Sequence, residues 1–223
     1  MTDQQPVTDR TRLRRKPDRG RHDRETIHAI LDEGFVCHVG FAVEGRTWVV
    51  PMAYARVDDA LYLHGAAANA ALKHAAGALD VCVTVTLVDG VVLARSAFHH
   101  SINYRSVMAF GPAATVTDDE EKERALTAVV DHVVPGRTAD TRPPTATEIK
   151  ATRVLRLDLT EASAKVRTGP PVDEPEDLDL PVWGGHVPLF VRPGRPVPDD
   201  HVPPSVPLPA YAADYRRPAG SSS

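Results

Sequence analysis

The run Asp80–Phe98, "DVCVTVTLVDGVVLARSAF", constrains the fold more than any other stretch of the chain. Its first half alternates apolar and polar residues, the period of a strand with one covered face. Asp89-Gly90 interrupts the pattern, and that dipeptide between β-rich arms is a two-residue hairpin signal. A turn there places Val88 opposite Val91, Thr84 opposite Arg95 and Thr86 opposite Leu93. Val83 and Val85 then lie on the other side, opposite Ser96 and Ala94. The expected product is an antiparallel pair with chemically distinct faces, whose apolar face needs more strands to cover it.

The chain supplies them. "FVCHVGFAV" and "RTWVVPMAYARV" read as two strands around the turn "EG", and "ALYLHG" as a third. A long strand is expected from about Tyr104 to Val116, and a last, bent one over "RVLRLDLTEASAKVRT". Helices are few. Asp23 caps "RETIHAILDE", whose Ile27, Ile30 and Leu31 share a face and which Gly34 stops. "AAANAALKHAAG" reads as a short helix with Asn69 at its N-cap. Thr117 and Glu120 form a capping box for a helix with a Leu126, Val129, Val130, Val133 stripe. Six or more strands with short hairpins close most naturally into a small antiparallel barrel, because closure removes exposed edges.

The two ends differ from this middle. Arg10–Arg24 holds eight basic residues, and residues 1–22 read as a basic arm, either solvated or supplying arginines to an anion or partner subunit. Residues 23–168 form the barrel domain. From Gly169 onward the chain carries thirteen of its 20 prolines. Residues 169–192 are expected to pack on the barrel in extended form, and 193–223 to be a largely disordered tail. The 26 basic and 30 acidic residues nearly balance, so bulk charge points to neither a nucleic-acid nor a membrane partner. Cys37 and Cys82 sit in strand-like runs and read as reduced thiols. With no spanning run and no apolar signal core, a cytoplasmic location is expected.

Polar residues crowd Ala94–Gly111, "ARSAFHHSINYRSVMAFG". Adjacent His99 and His100 in an extended segment point to opposite faces and do not grip one ion, and no spaced ligand set suggests a metal. Nucleophile-elbow, Walker and Gly-x-Gly-x-x-Gly motifs are missing. Three segments suit a ligand wall better than a plain core. Pro51 interrupts a strand, and either leaves neighbouring backbone groups free for a ligand or marks an edge strand guarded against aggregation. "LHGAAANAALK" runs from strand into helix, where free N–H groups and Lys73 can meet a phosphate. Arg95 and Arg105 could approach one anion across the hairpin.

In order along the chain, "ILDEGFVCHVGF", "WVVPMAYA", "LYLHG", the long block 81–111, "ASAKVRTGPP" and "LPVWGGHVPL" resemble the pyridoxamine 5'-phosphate oxidase-related split-barrel flavoproteins. The branch most resembled is the nitroimidazole-resistance type. The resemblance implies a mainly β fold with few helices, an antiparallel six-stranded split barrel and a homodimer holding FMN at its interface. It implies that Val50, Pro51, Met52, Ala53 and Tyr54 line the isoalloxazine, with His64 and Gly65 at the next strand end. Asn69 and Lys73 would sit at the phosphate. Arg95, Ser96, Asn103, Tyr104, Arg105 and Ser106 would complete the wall, and Lys165, Arg167 and Trp183 match late positions that close over the cofactor.

Where relatives place Ser, Thr or Arg in the phosphate turn, this chain reads Ala66, Ala67, Ala68, Asn69, Ala70. Residues for vitamin B6 oxidation are not recognisable. The implied activity is an FMN-dependent oxidoreductase acting on a small molecule such as a nitro compound or quinone. His99 and His100 are the candidates for proton handling, or simply histidines satisfied by backbone at a strand end. Alternatives are a flavin-sequestering protein without turnover, and a haem- or deazaflavin-binding relative.

Overall fold

Six antiparallel strands close a ring in the computed structural model, which describes residues 4–66 and 78–216. The strands are β2 (Val36–Val43), β3 (Arg46–Val57), β4 (Ala60–Ala66), β5 (Ala78–Leu93), β6 (Ser101–Thr115) and β7 (Thr152–Asp158). The ring runs β6-β7-β4-β3-β2-β5 and returns to β6. Its β6–β7 seam is short, Ala114↔Arg156 and Thr115↔Leu155. The front half of β6 instead pairs with β8 (Ala162–Arg167), so the barrel is split there. The two-residue β1 (Gly20–Arg21) extends β8, and β9 (Gly185–Pro188) extends β5. The expected six-stranded split barrel is therefore present, with three strands added outside the ring.

Local sequence accounts for the first third. Asp23 accepts from the Thr26 amide at 2.8 Å and starts helix α1 (Arg24–Glu33), which buries Ile27, Ile30 and Leu31. Glu44 and Gly45 both take positive φ, 50° and 74°, the twist that suits a two-residue β2–β3 hairpin. Inside the ring Val39, Phe41, Tyr54, Leu61, Leu63, Val83, Val85, Val107 and Leu155 form one core with α1. Tyr54 is fully buried, and its hydroxyl donates to the Leu31 carbonyl at 2.6 Å, tying β3 to α1. Tyr54→Phe is expected to cost about 1–2 kcal/mol, because that carbonyl loses a partner in a dry site. A denaturation midpoint equal to wild type would disprove the tie.

The expected hairpin at Asp89-Gly90 does not form. Residues 78–93 are a single strand, laddered to β6 from Ala78↔Ala114 to Val92↔Ser101, with a bulge between Val88 and Gly90. Thr84 faces Met108 and Thr86 faces Ser106, not Arg95 and Leu93. Two long-range contacts override the turn signal. The Asp89 carboxylate holds Arg105 on β6, and its carbonyl accepts from the Leu189 amide at 3.0 Å. Gly90 is needed for close approach: a Cβ there would lie 2.8 Å from the Val187 carbonyl oxygen of β9. The real turn is 94–100, closed by a 3-10 turn at Ala97–His99.

Other expectations shift by a residue or two. Asp118, not Thr117, caps helix α2 (Asp119–Val133), accepting from the Glu121 amide at 2.7 Å. Ala125 and Val129 carry its buried side, while Val130 is 40% exposed. The bent last strand is two strands, β7 and β8, and a short helix α3 (Ala146–Ala151) precedes them. The expected helix around Asn69 lies outside the described residues.

The ends are tied down. Gln4 bridges to Asp23, Thr8 donates to Glu161, and Arg10 grips Asp80 at 2.8 and 3.2 Å. In the C-terminal segment Tyr215 donates to the Val133 carbonyl, and Tyr211, in the short helix α4 (Ala210–Ala213), donates to Asp140. Among the described residues no helix is long and apolar enough to cross a membrane.

Candidate functional site

Strand alternation sorts the predicted site residues into two sets. One register runs Pro51–His38–Thr84–Met108–Ser163 across β3, β2, β5, β6 and β8 on the outside of the barrel. The next outward register holds Ala53–Val36 and Thr86–Ser106–Lys165. This outer face mixes hydroxyls, an imidazole and an ammonium with apolar side chains that lack cover: Val36, Val49 and Met108 are 44%, 64% and 42% exposed. Val50 and Met52 point the other way, half-buried against the core, and Tyr54 is wholly inside. The Tyr54 ring therefore packs in the core.

His64 and Gly65 end β4, opposite Val154 and Arg153. His64 shares the outward side with Tyr62, its Nδ1 is buried without a hydrogen-bond partner among the described residues, and burial pushes its pKa below the ordinary imidazole value. That shift favours the neutral ring, the form that can ligate a metal or accept a proton. Asn69 and Lys73 lie outside the described residues.

The two arginines expected to meet an anion are already spent. Arg105 donates to Asp89 at 2.7 and 3.0 Å and to Glu33 at 2.5 and 2.9 Å, two bidentate grips on one guanidinium. These bonds push its pKa up. Arg95 donates to Asp173 through its backbone and Nη1, at 2.9 and 2.8 Å. Neither is free to serve as an anion hook, and the reason is tertiary: α1 and residue 173 bring the carboxylates. Ser96 is half-buried, and its buried Oγ has no hydrogen-bond partner among the described residues.

His99 and His100 sit at the hairpin tip. His99 lies 3.5 Å from Glu174 and edge-on to Phe98, and His100 Nδ1 is 2.9 Å from the Ser96 carbonyl. Both are engaged locally rather than on the outer face. Tyr104 and Arg167 pair across β6 and β8, with Asn103 buried beside them. Trp183 is 65% exposed on the approach to β9, its indole lying over Gly185.

The sequence reading passes over His38, although it occupies the middle of the outer face. The alternation in "VCHVGF" carries the signal: Cys37, Val39 and Phe41 are buried and His38 is not. Cys37 is a core thiol, its pKa raised to about 12 by burial. Among the described residues no three His, Cys, Asp or Glu side chains gather as a metal site.

A split antiparallel ring with this outer face defines a split-barrel protein. The family profile described as "Pyridoxamine 5'-phosphate oxidase" matches residues 23–166, and the chain belongs to that family. Three solved structures are similar to it. The flavocytochrome Anf3 from Azotobacter vinelandii superposes with a TM-score of 0.88 at 40% identity, covering 94% of this chain and 98% of that one. The FAD and haem binding protein from Mycobacterium smegmatis gives 0.83 at 34%, covering 86% and 95%. A provisionally assigned 5-nitroimidazole antibiotic resistance protein from Bacteroides thetaiotaomicron gives 0.54 at 25%, covering 65% and 84%. No curated protein matches the sequence.

Proposed function

We propose that this protein is a flavin-dependent oxidoreductase that also carries haem, a flavocytochrome working as a cytoplasmic homodimer. One observation carries the reading: two relatives that match over 94% and 86% of the chain are described as a flavocytochrome and as an FAD and haem binding protein. FAD is accordingly the flavin proposed, in place of the FMN that the sequence suggested. Bound to this chain, a flavin would supply two-electron chemistry toward a small molecule and a haem would supply one-electron chemistry, with the protein positioning both groups.

The chain's own residues fit these groups. A flat ring needs an apolar wall with hydrogen-bonding groups at its rim, and the outer face offers Val36 and Met108 among Thr84, Thr86 and Ser106. A neutral imidazole can ligate a haem iron, and His64 is half-buried, its pKa is lowered by burial, and its buried Nδ1 has no hydrogen-bond partner among the described residues. A second copy laid on the outer face would cover its exposed apolar side chains and exclude water from the ring. His38, central on that face, is the group we propose to hold or move a proton there.

The absorbance spectrum of the purified protein tests the assignment. Oxidised-flavin peaks together with a Soret band are expected, acid should release FAD, and His64→Ala should diminish the Soret band while sparing the flavin. Flavin peaks alone would reduce the reading to a flavin oxidoreductase of the nitroimidazole-resistance kind. A protein that takes up neither group would end it.

A further inference from the structure

A buried guanidinium is normally matched by a carboxylate, because an uncompensated charge in a dry site costs free energy. Arg167 breaks that rule. It is 5% exposed, and no carboxylate is bonded to it among the described residues. Nη1 donates to Asn103 Oδ1 and, at 3.3 Å, to the Gly169 carbonyl; Nη2 donates to the Pro170 carbonyl at 3.2 Å. Nε is buried with no partner among the described residues. A guanidinium has five N–H donors in a planar fork, so Nε–H and one Nη2–H are left over. They belong to the two nitrogens of the side edge, the pair that can grip two oxygens of one anion.

Two more cations lie close by. Lys165 precedes Arg167 by two residues and so shares its face of β8. Arg19 is delivered by the N-terminal arm, because β1 locks Gly20 opposite Lys165. Its charge reaches Arg167, whose pKa is lowered first by burial and then by Arg19. Neither Lys165 nor Arg19 has an acidic partner among the described residues. Arg95, Arg105 and Arg56 are by contrast neutralised by Asp173, by Glu33 with Asp89, and by Asp32. A single carboxylate would leave two of the three cations unmatched. A phosphate monoester brings about −1.5 to −2 charges and three acceptor oxygens, and a pyrophosphate is likewise multiply charged.

We propose that Arg167, Lys165 and Arg19 form an anion seat beside the outer sheet face, built for a phosphoryl group. The group belongs either to the flavin nucleotide or to a second phosphorylated ligand, such as a nicotinamide dinucleotide donor. The seat rests on the flavin reading above, and it explains why the basic arm is laced to the barrel: the lacing brings Arg19 to β8. Asn103 is a positioning residue that holds the Arg167 fork through Nη1.

The test titrates flavin-stripped, full-length protein with FMN, FAD and riboflavin by flavin fluorescence, and flavin-loaded protein with inorganic pyrophosphate by calorimetry. Arg167→Gln is compared with Lys165→Gln and with Arg19→Gln, a change on the arm that leaves the barrel intact. If the flavin's own phosphate fills the seat, Arg167→Gln weakens FMN and FAD by roughly ten- to hundredfold. Riboflavin is then unaffected, and Arg19→Gln acts in the same direction by a smaller factor. If a second ligand fills it, flavin affinities stay put and pyrophosphate binding to the loaded protein is lost in the variants. An equal loss for all three flavins marks Arg167 as structural and overturns the seat. So does wild-type behaviour of the variants with every ligand. Should the native protein bind no flavin, the flavin reading fails, and pyrophosphate titration of the same protein still decides the seat.

Discussion

Exchanging Met108 for glutamate is expected to turn a flavin-bearing dimer into single chains without flavin. Met108 lies in the middle register of the outer face, between Thr84 and Ser163, and is 42% exposed. In a single chain the new carboxylate stands in water at little cost. In the proposed two-fold dimer it is buried, and symmetry places it there twice. Desolvating a carboxylate without a partner costs at least about 3 kcal/mol, more than a hundredfold in the dimer dissociation constant. Sedimentation should show the halved mass, and thermal unfolding should show an intact barrel. A Met108→Glu protein that stays dimeric with flavin bound would move the interface elsewhere.

The second large effect concerns folding. Arg105→Leu should lower stability by about 2–4 kcal/mol, because it leaves Glu33 and Asp89 facing one another, each side chain less than a third exposed. The loss is smaller than for a fully buried pair, since water still reaches both carboxylates. Adding Asp89→Asn to the same variant should recover part of it, and denaturant melts of the single and double variants measure the coupling. The folded fraction should bind flavin as wild type does. A tenfold loss of flavin affinity in folded Arg105→Leu would return this guanidinium to the cofactor wall.

Range of interaction decides which parts of the molecule are readable from sequence. Helix α1 and the β2–β3 hairpin are decided within a few residues, by the Asp23 cap and the positive-φ pair Glu44-Gly45, and they are readable for that reason. Asp89-Gly90 carries an equally strong local signal, yet its outcome depends on Arg105 sixteen residues away and on β9 about a hundred residues away. A ladder that long outweighs a turn preference. The site behaves similarly. Alternation in the sequence suffices to set His38 outward. Which cation is free cannot be read so, because Arg95, Arg105 and Arg167 look alike until their carboxylates are located in space.

The two shortest strands of the sheet govern how copies can meet. β1 and β9 occupy its outer edges, two and four residues long, each laid down by one end of the chain. Neither offers a long row of free backbone groups to an incoming strand, which disfavours adding copies edge to edge. Contact through sheet faces remains, and a two-fold face contact uses itself up. Trimming either terminal segment would lengthen an exposed sheet edge and is expected to promote self-association.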